Sequence, residues 1–168
     1  MRSSKVDGII LKRSNFGEAD RVLTVFTRQR GKISLVAKGV RRIKSRRAPH
    51  LEPLNDAEIV IHERIVTEAK SLSRPELDLP SIGLALYAAE VVDKLLPDEQ
   101  PHEEIYHMLR SLLVQSKLDE SQIKNFTAQV LWVLGFFPHG QYPKVGLTAF
   151  VEQLAERRIR SKKLLEEI

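Results

Sequence analysis

The 168-residue chain contains no cysteine. Disulfides, thiolate metal sites and a cysteine nucleophile are therefore excluded, and a reducing compartment is compatible with the composition. Aromatic residues are scarce at 6%, and only Phe16 and Phe26 fall in the first half. No stretch approaches the roughly 20 apolar residues of a membrane-spanning helix. Met1 to Val6 is polar and cationic, without the apolar run of a signal peptide. With 42% hydrophobic and 29% charged residues, the composition predicts a soluble, intracellular globular protein with a substantial core.

The absence that carries most information is local. From Arg21 to Arg47 there is no acidic residue, while Arg21, Arg28, Arg30, Lys32, Lys38, Arg41, Arg42, Lys44, Arg46 and Arg47 all fall within it. The net charge of +5 conceals this asymmetry: residues 1–75 hold 17 Lys and Arg against 8 Asp and Glu, and the remainder 10 against 14. A basic half beside a mildly acidic one suggests a polyanion-facing part and a scaffold. Acidic substrates or a membrane surface would also suit such a charge.

Hydrophobic period divides the chain in the same place. Val6–Leu11, Arg21–Thr27, Lys32–Lys38, Ala57–His62 and Ile65–Ala69 read as strands, the third alternating clearly at Ile33, Leu35 and Ala37. Asn15-Phe16-Gly17, Gly31 and Gly39 supply turns. Five short strands in about 70 residues suit a small closed barrel such as an OB-fold. The period then changes to helical between Pro75 and Pro80. Ser81 can cap a helix running to Leu96; Ile105, Met108, Leu109, Leu112 and Leu113 share a face of the next. Asp119 or Ser121 starts a third, stopped by Gly135 and Pro138, and a fourth begins near Thr148. The expected fold class is α+β, with an OB-fold barrel over 1–76 and an α-helical domain over 77–168.

The segment Gly39–Pro49 reads as a loop with little apolar content, poorly ordered alone and able to settle onto a phosphate backbone. Arginine suits phosphate because its planar fork donates two parallel hydrogen bonds. Such contacts carry little base information, so no sequence-specific site is expected. Phe26, on an alternating strand, reads as core. Phe16 beside Gly17 is the better stacking candidate, with a packed loop anchor as the simpler reading.

No catalytic constellation stands out. Glu18 and Asp20 adjoin Arg21 and read as a turn-stabilising ion pair. His102, His107 and His139 are scattered without carboxylate support, and no phosphate-binding Gly-rich loop is present. Tyr87 and Trp132 read as core residues with hydrogen-bonded polar tips. Neither enzymatic activity nor a cofactor or metal is expected.

Four short motifs, in order and spacing, carry a resemblance. They are Asp7-Gly8-Ile9-Ile10-Leu11-Lys12-Arg13, Phe16-Gly17-Glu18-Ala19-Asp20-Arg21, Gly31-Lys32-Ile33 and Ala37-Lys38-Gly39-Val40-Arg41-Arg42. Together they resemble the start of the bacterial RecO family of DNA repair proteins, and Leu51-Glu52-Pro53-Leu54 resembles its continuation. The helical half matches more loosely, in Tyr87–Leu96 and Leu131–Pro138. The resemblance implies an N-terminal OB-fold, a helical C-terminal domain and a mediator role in recombinational repair. Such proteins bind single- and double-stranded DNA and anneal complementary strands. With RecR they help RecA replace the single-stranded-DNA-binding protein, in a cytoplasmic, nucleoid-associated setting.

Within the matched motifs Lys12, Arg13, Lys38, Arg41 and Arg42 would face DNA, and the charge run adds Arg28, Lys32, Lys44, Arg46 and Arg47. Arg157, Arg158, Arg160 and Lys162, with Lys163, could attract a partner's acidic tail beside a groove between the C-terminal helices; solvation and helix-dipole compensation are the competing reading. Many members carry a four-cysteine zinc module where His139-Gly140-Gln141-Tyr142-Pro143 runs on here, which excludes zinc in that form. Two further readings stay open: an adaptor whose basic half docks an acidic protein, and an RNA-binding OB module.

Overall fold

A computed structural model describes residues 2–155. They form two compact units: residues 2–75 together with Pro97–Tyr106, and Glu76–Leu96 together with residues 107–155.

The first unit is a closed barrel in the order β1-β2-β3-β5-β4, an OB-like arrangement. Its strands are β1 (Ser4–Phe16), β2 (Asp20–Thr27), β3 (Gly31–Ala37), β4 (Asp56–His62) and β5 (Ile65–Ser73). Alternation sorts the side chains as expected: Leu23 and Val25, Ile33, Leu35 and Ala37, and Ala57, Ile59 and Ile61 fill the interior. All ladders are antiparallel except β3–β5, which is parallel and holds a single register pair, Val36 with Ile65. Val40 and Leu51, from the connection between β3 and β4, join the core there. A register shift between Ile10 and Lys12 interrupts the β1–β2 ladder. Beyond Ile9, β1 has left β4, and the incoming connection takes over: the Leu54 N–H donates to the Ile10 carbonyl at 2.8 Å and the Ile10 N–H to the Asn55 carbonyl at 3.0 Å.

Pro97–Tyr106 packs against the β2–β3 turn. Phe26 is fully buried, but next to the inward-facing Val25 it lies on the outer face, where the Tyr106 ring meets it edge-on at 5.9 Å. The Tyr106 hydroxyl donates to Asp56 Oδ1 at 2.7 Å. The Glu99 N–H donates to the Lys32 carbonyl at 2.9 Å. This close docking depends on Gly31: its φ is +74°, and a Cβ there would lie 2.1 Å from the Gln100 carbonyl oxygen.

The helical unit holds α1 (Leu79–Leu95), the later turns of α2 (Glu103–Leu113), α3 (Glu120–Val133) and α4 (Leu147–Ala155). The start of α1 differs from the expectation. Asp78, not Ser81, is the N-cap, accepting from the Ser81 N–H at 3.1 Å. Ser81 is buried, and its hydroxyl instead accepts from the Leu118 N–H at 2.8 Å. The α3 start is a capping box between Asp119 and Gln122, closing both ways at 2.8 and 2.9 Å. Tyr87 is buried with its hydroxyl 2.9 Å from that of Thr148. Trp132 is only half-buried; its indole N–H donates to the Gln141 carbonyl at 2.7 Å.

Replacing Gly31 by alanine combines a left-handed backbone with a backbone clash, so urea unfolding should report a loss of about 2 kcal/mol or more. Tyr106→Phe should lower stability by about 1–3 kcal/mol, because a buried carboxylate loses a donor; an unchanged midpoint would refute that role.

Candidate nucleic-acid interface

The β2–β3 register pairs Arg21 with Ala37 and Thr27 with Gly31. The acid-free stretch is therefore split between the two ends of a hairpin, six residue steps or about 20 Å apart. Arg28, Arg30 and Lys32 occupy one end; Lys38 to Arg47 leave the other.

The first end is largely neutralised. Lys32 is buried at 9% exposure, with Nζ 3.4 Å from Asp98. Arg28 meets Asp7 at 3.3 Å and Glu103 at 3.4 Å, and these hydrogen bonds, Asp7 first, raise its pKa. Both side chains thus meet carboxylates of the same unit, where the charge run alone has them facing DNA. Their partners come from positions that local charge counting cannot associate with them.

The second end is built by fastening two turns together. The Gly39 N–H donates to Asp20 Oδ1 at 2.7 Å, with Gly39 at φ +66°, a conformation open to glycine. The Arg41 N–H donates to the Ala19 carbonyl and Arg41 Nη1 to the Gly17 carbonyl, both at 3.0 Å. Asp20 thus anchors backbone and does not pair with Arg21; the carboxylate beside Arg21 is Glu52, at 3.7 Å, which also meets Arg13 at 2.8 Å. Arg13, Arg21 and Arg41 consequently share one electrostatic neighbourhood. Burial lowers the pKa of Arg21 first, Arg13 lowers it further, Glu52 opposes and Arg41 adds to the lowering. Lys12 lies on β1 next to Arg13, exposed, opposite Thr24.

The connection from Lys38 to Arg47 is also more ordered than its composition suggests. Ser45 N–H donates to the Arg42 carbonyl at 2.9 Å, and Ala48 N–H to Ser45 Oγ at 3.3 Å. Arg47 is half-buried and donates to the carbonyls of Val66, at 2.7 Å, and Lys38. Arg47 thus acts as a strut between the connection and β5. His50 Nδ1 accepts from the Ser71 N–H at 3.0 Å. Between this connection and β5 lies an open groove of about 860 Å³. Lys38, Arg42, Lys44 and Arg46 line it, all exposed, together with Arg47 and His50. Asp20 and Glu68 are its acidic lining residues, and Asp20 is engaged with Gly39.

Among the described residues no group of three or more His, Asp or Glu side chains could hold a metal ion, and no helix is long and apolar enough to cross a membrane. Arg157, Arg158, Arg160 and Lys162 lie outside the described residues. The helical unit does have a groove, of about 160 Å³, bordered by Leu84, Tyr87, Ile123, Lys124, Thr127 and Leu147 among others.

A closed OB-like barrel bearing a cationic groove is the architecture of an oligonucleotide- or oligosaccharide-binding module, and the charge favours the anionic class. Residues 1–77 match the family described as recombination protein O N terminal, and residues 76–142 match recombination protein O C terminal. The chain belongs to this family of DNA repair proteins. It is 37% identical over 151 residues to the DNA repair protein RecO of Geobacter metallireducens, covering 81% of this chain and 60% of that protein. It is 32% identical over 154 residues to that of Thermoanaerobacter, covering 82% and 60%. The chain thus spans about three fifths of the length of these relatives.

The two kinds of arginine can be separated by experiment. Arg47→Ala should cost about 2 kcal/mol in urea unfolding because two carbonyls lose a charged donor, while Arg46→Ala should stay within about 0.5 kcal/mol of the parent. Equal effects would contradict the assignment of Arg47 as a strut.

Proposed function

We propose that this chain is a non-catalytic DNA-binding mediator of recombinational repair, acting by holding the phosphate backbone of DNA along the barrel. The observation that carries the reading is the convergence of Lys38, Arg42, Lys44 and Arg46 on one open groove, next to the Arg13, Arg21 and Arg41 group. These cations sit on turns fixed by hydrogen bonds, so little ordering of the connection is needed when a backbone docks. Family membership supports DNA as the polyanion, and the family's mediator role supports binding of single and double strands, annealing, and help in loading recombinase onto protein-coated single strands. On this reading RecR and the single-stranded-DNA-binding protein are partners and RecA an indirect one. The groove of the helical unit is a place for a partner's apolar peptide end. The setting would be the cytoplasm, at the nucleoid.

Phosphate contacts carry affinity without base information, so binding should be strong in low salt and fall steeply as salt rises. The triple variant Arg42→Glu, Lys44→Glu, Arg46→Glu should weaken oligonucleotide binding sharply. It should also flatten the slope of log affinity against log salt by about 2–3, at roughly 0.7–0.9 per lost phosphate contact. Polarisation titrations with matched DNA and RNA strands check both points. Parental affinity and slope in the triple variant, or clear preference for RNA, would overturn the reading.

A further inference from the structure

We propose that Phe16 and Ile43 are the base-contacting residues of this barrel, meeting the bases of single-stranded DNA by apolar contact while the neighbouring cations hold its phosphates. The inference rests on the DNA-binding reading above and extends it to the part of the ligand that cations cannot grip.

Ile43 is fully exposed, at 104% relative accessibility, and lies between Arg42 and Lys44. Phe16 is 59% exposed and directly precedes Gly17, so it is no packed loop anchor. A lone exposed hydrophobe is ordinary on a protein surface. These two differ in their setting. Each is carried by one of the two turns that Arg41 fastens together through the Gly17 and Ala19 carbonyls, with Asp20 holding Gly39 as a third tie. The apolar side chains are therefore mounted on one hydrogen-bonded junction that also carries Arg41, with Arg42 and Lys44 flanking Ile43 in the chain. Burying either against a protein core would bring these cations into an apolar interface without partners, at high cost. Nucleic acid satisfies both requirements together. Phosphates take the cations, and unstacked base faces offer flat apolar surface, on which an aromatic ring stacks and an aliphatic side chain packs.

Bases in a duplex are already stacked, so contact of this kind distinguishes strands. The test uses the full chain with Phe16→Ala, Phe16→Tyr and Ile43→Ser, titrated by polarisation against a mixed-sequence single strand and its duplex over a salt series. Phe16→Ala and Ile43→Ser should each lose about fivefold or more in single-strand affinity, with duplex affinity within twofold and the salt slope unchanged. Phe16→Tyr, which keeps the ring, should bind like the parent; a merely structural loss in Phe16→Ala would lower duplex affinity as well. Parental single-strand affinity in Phe16→Ala or Ile43→Ser overturns the proposal for that residue, as does an equal loss on duplex. If the parent itself binds neither strand, or the triple charge reversal leaves its salt slope intact, the groove reading fails. Loss of slope in that triple variant with no effect of Phe16→Ala or Ile43→Ser leaves the groove standing and removes the base contacts.

Discussion

The barrel closes through one parallel register pair, Val36 with Ile65, and the arrangement of the candidate interface follows from how little pairing that is. Beyond it β5 has β4 as a strand neighbour on one side and no continuing ladder with β3. Buried backbone groups need partners, and a closed barrel leaves no other strand to supply them. The connection between β3 and β4 does so: Arg47 reaches the Val66 carbonyl, His50 accepts from Ser71, and Val40 and Leu51 fill the core beneath. A segment bound to this task must run along β5. Its remaining cations are thereby set facing a groove.

Charge in this protein is thus used in two ways, distinguished by partners and not by residue type. Arg47 spends its guanidinium on backbone carbonyls, and Lys32 and Arg28 meet carboxylates. Lys38, Arg42, Lys44 and Arg46 stand exposed along the groove. The division matters energetically, because an exposed cation gains from a polyanion by releasing its counterions, while a buried paired one would first have to abandon its carboxylate.

The same economy bears on what such a barrel can do. Fixed turns and exposed arginines favour affinity for a backbone over recognition of a sequence. The helical unit carries a small groove of its own.

Much of this was legible in the sequence because it depends on short-range physics. Alternation at Ile33, Leu35 and Ala37 and at Ala57, Ile59 and Ile61 placed strands, turn glycines punctuated them, and Asp119 marked the start of α3. Strand and helix periods are set within about ten residues by backbone geometry and solvent. The fate of individual cations was not legible. Arg13 meets a carboxylate 39 positions away and Arg28 one 75 away, and Lys32 depends on the return of Pro97–Tyr106 to the barrel. The mistaken role for Asp20, assigned to its neighbour Arg21 when it holds Gly39, has the same origin. The sequence by itself determined that an acid-free, strongly basic segment would sit on a small barrel. Only the tertiary structure decided which of its charges are spent, because that is settled by groups distant in the chain and adjacent in space.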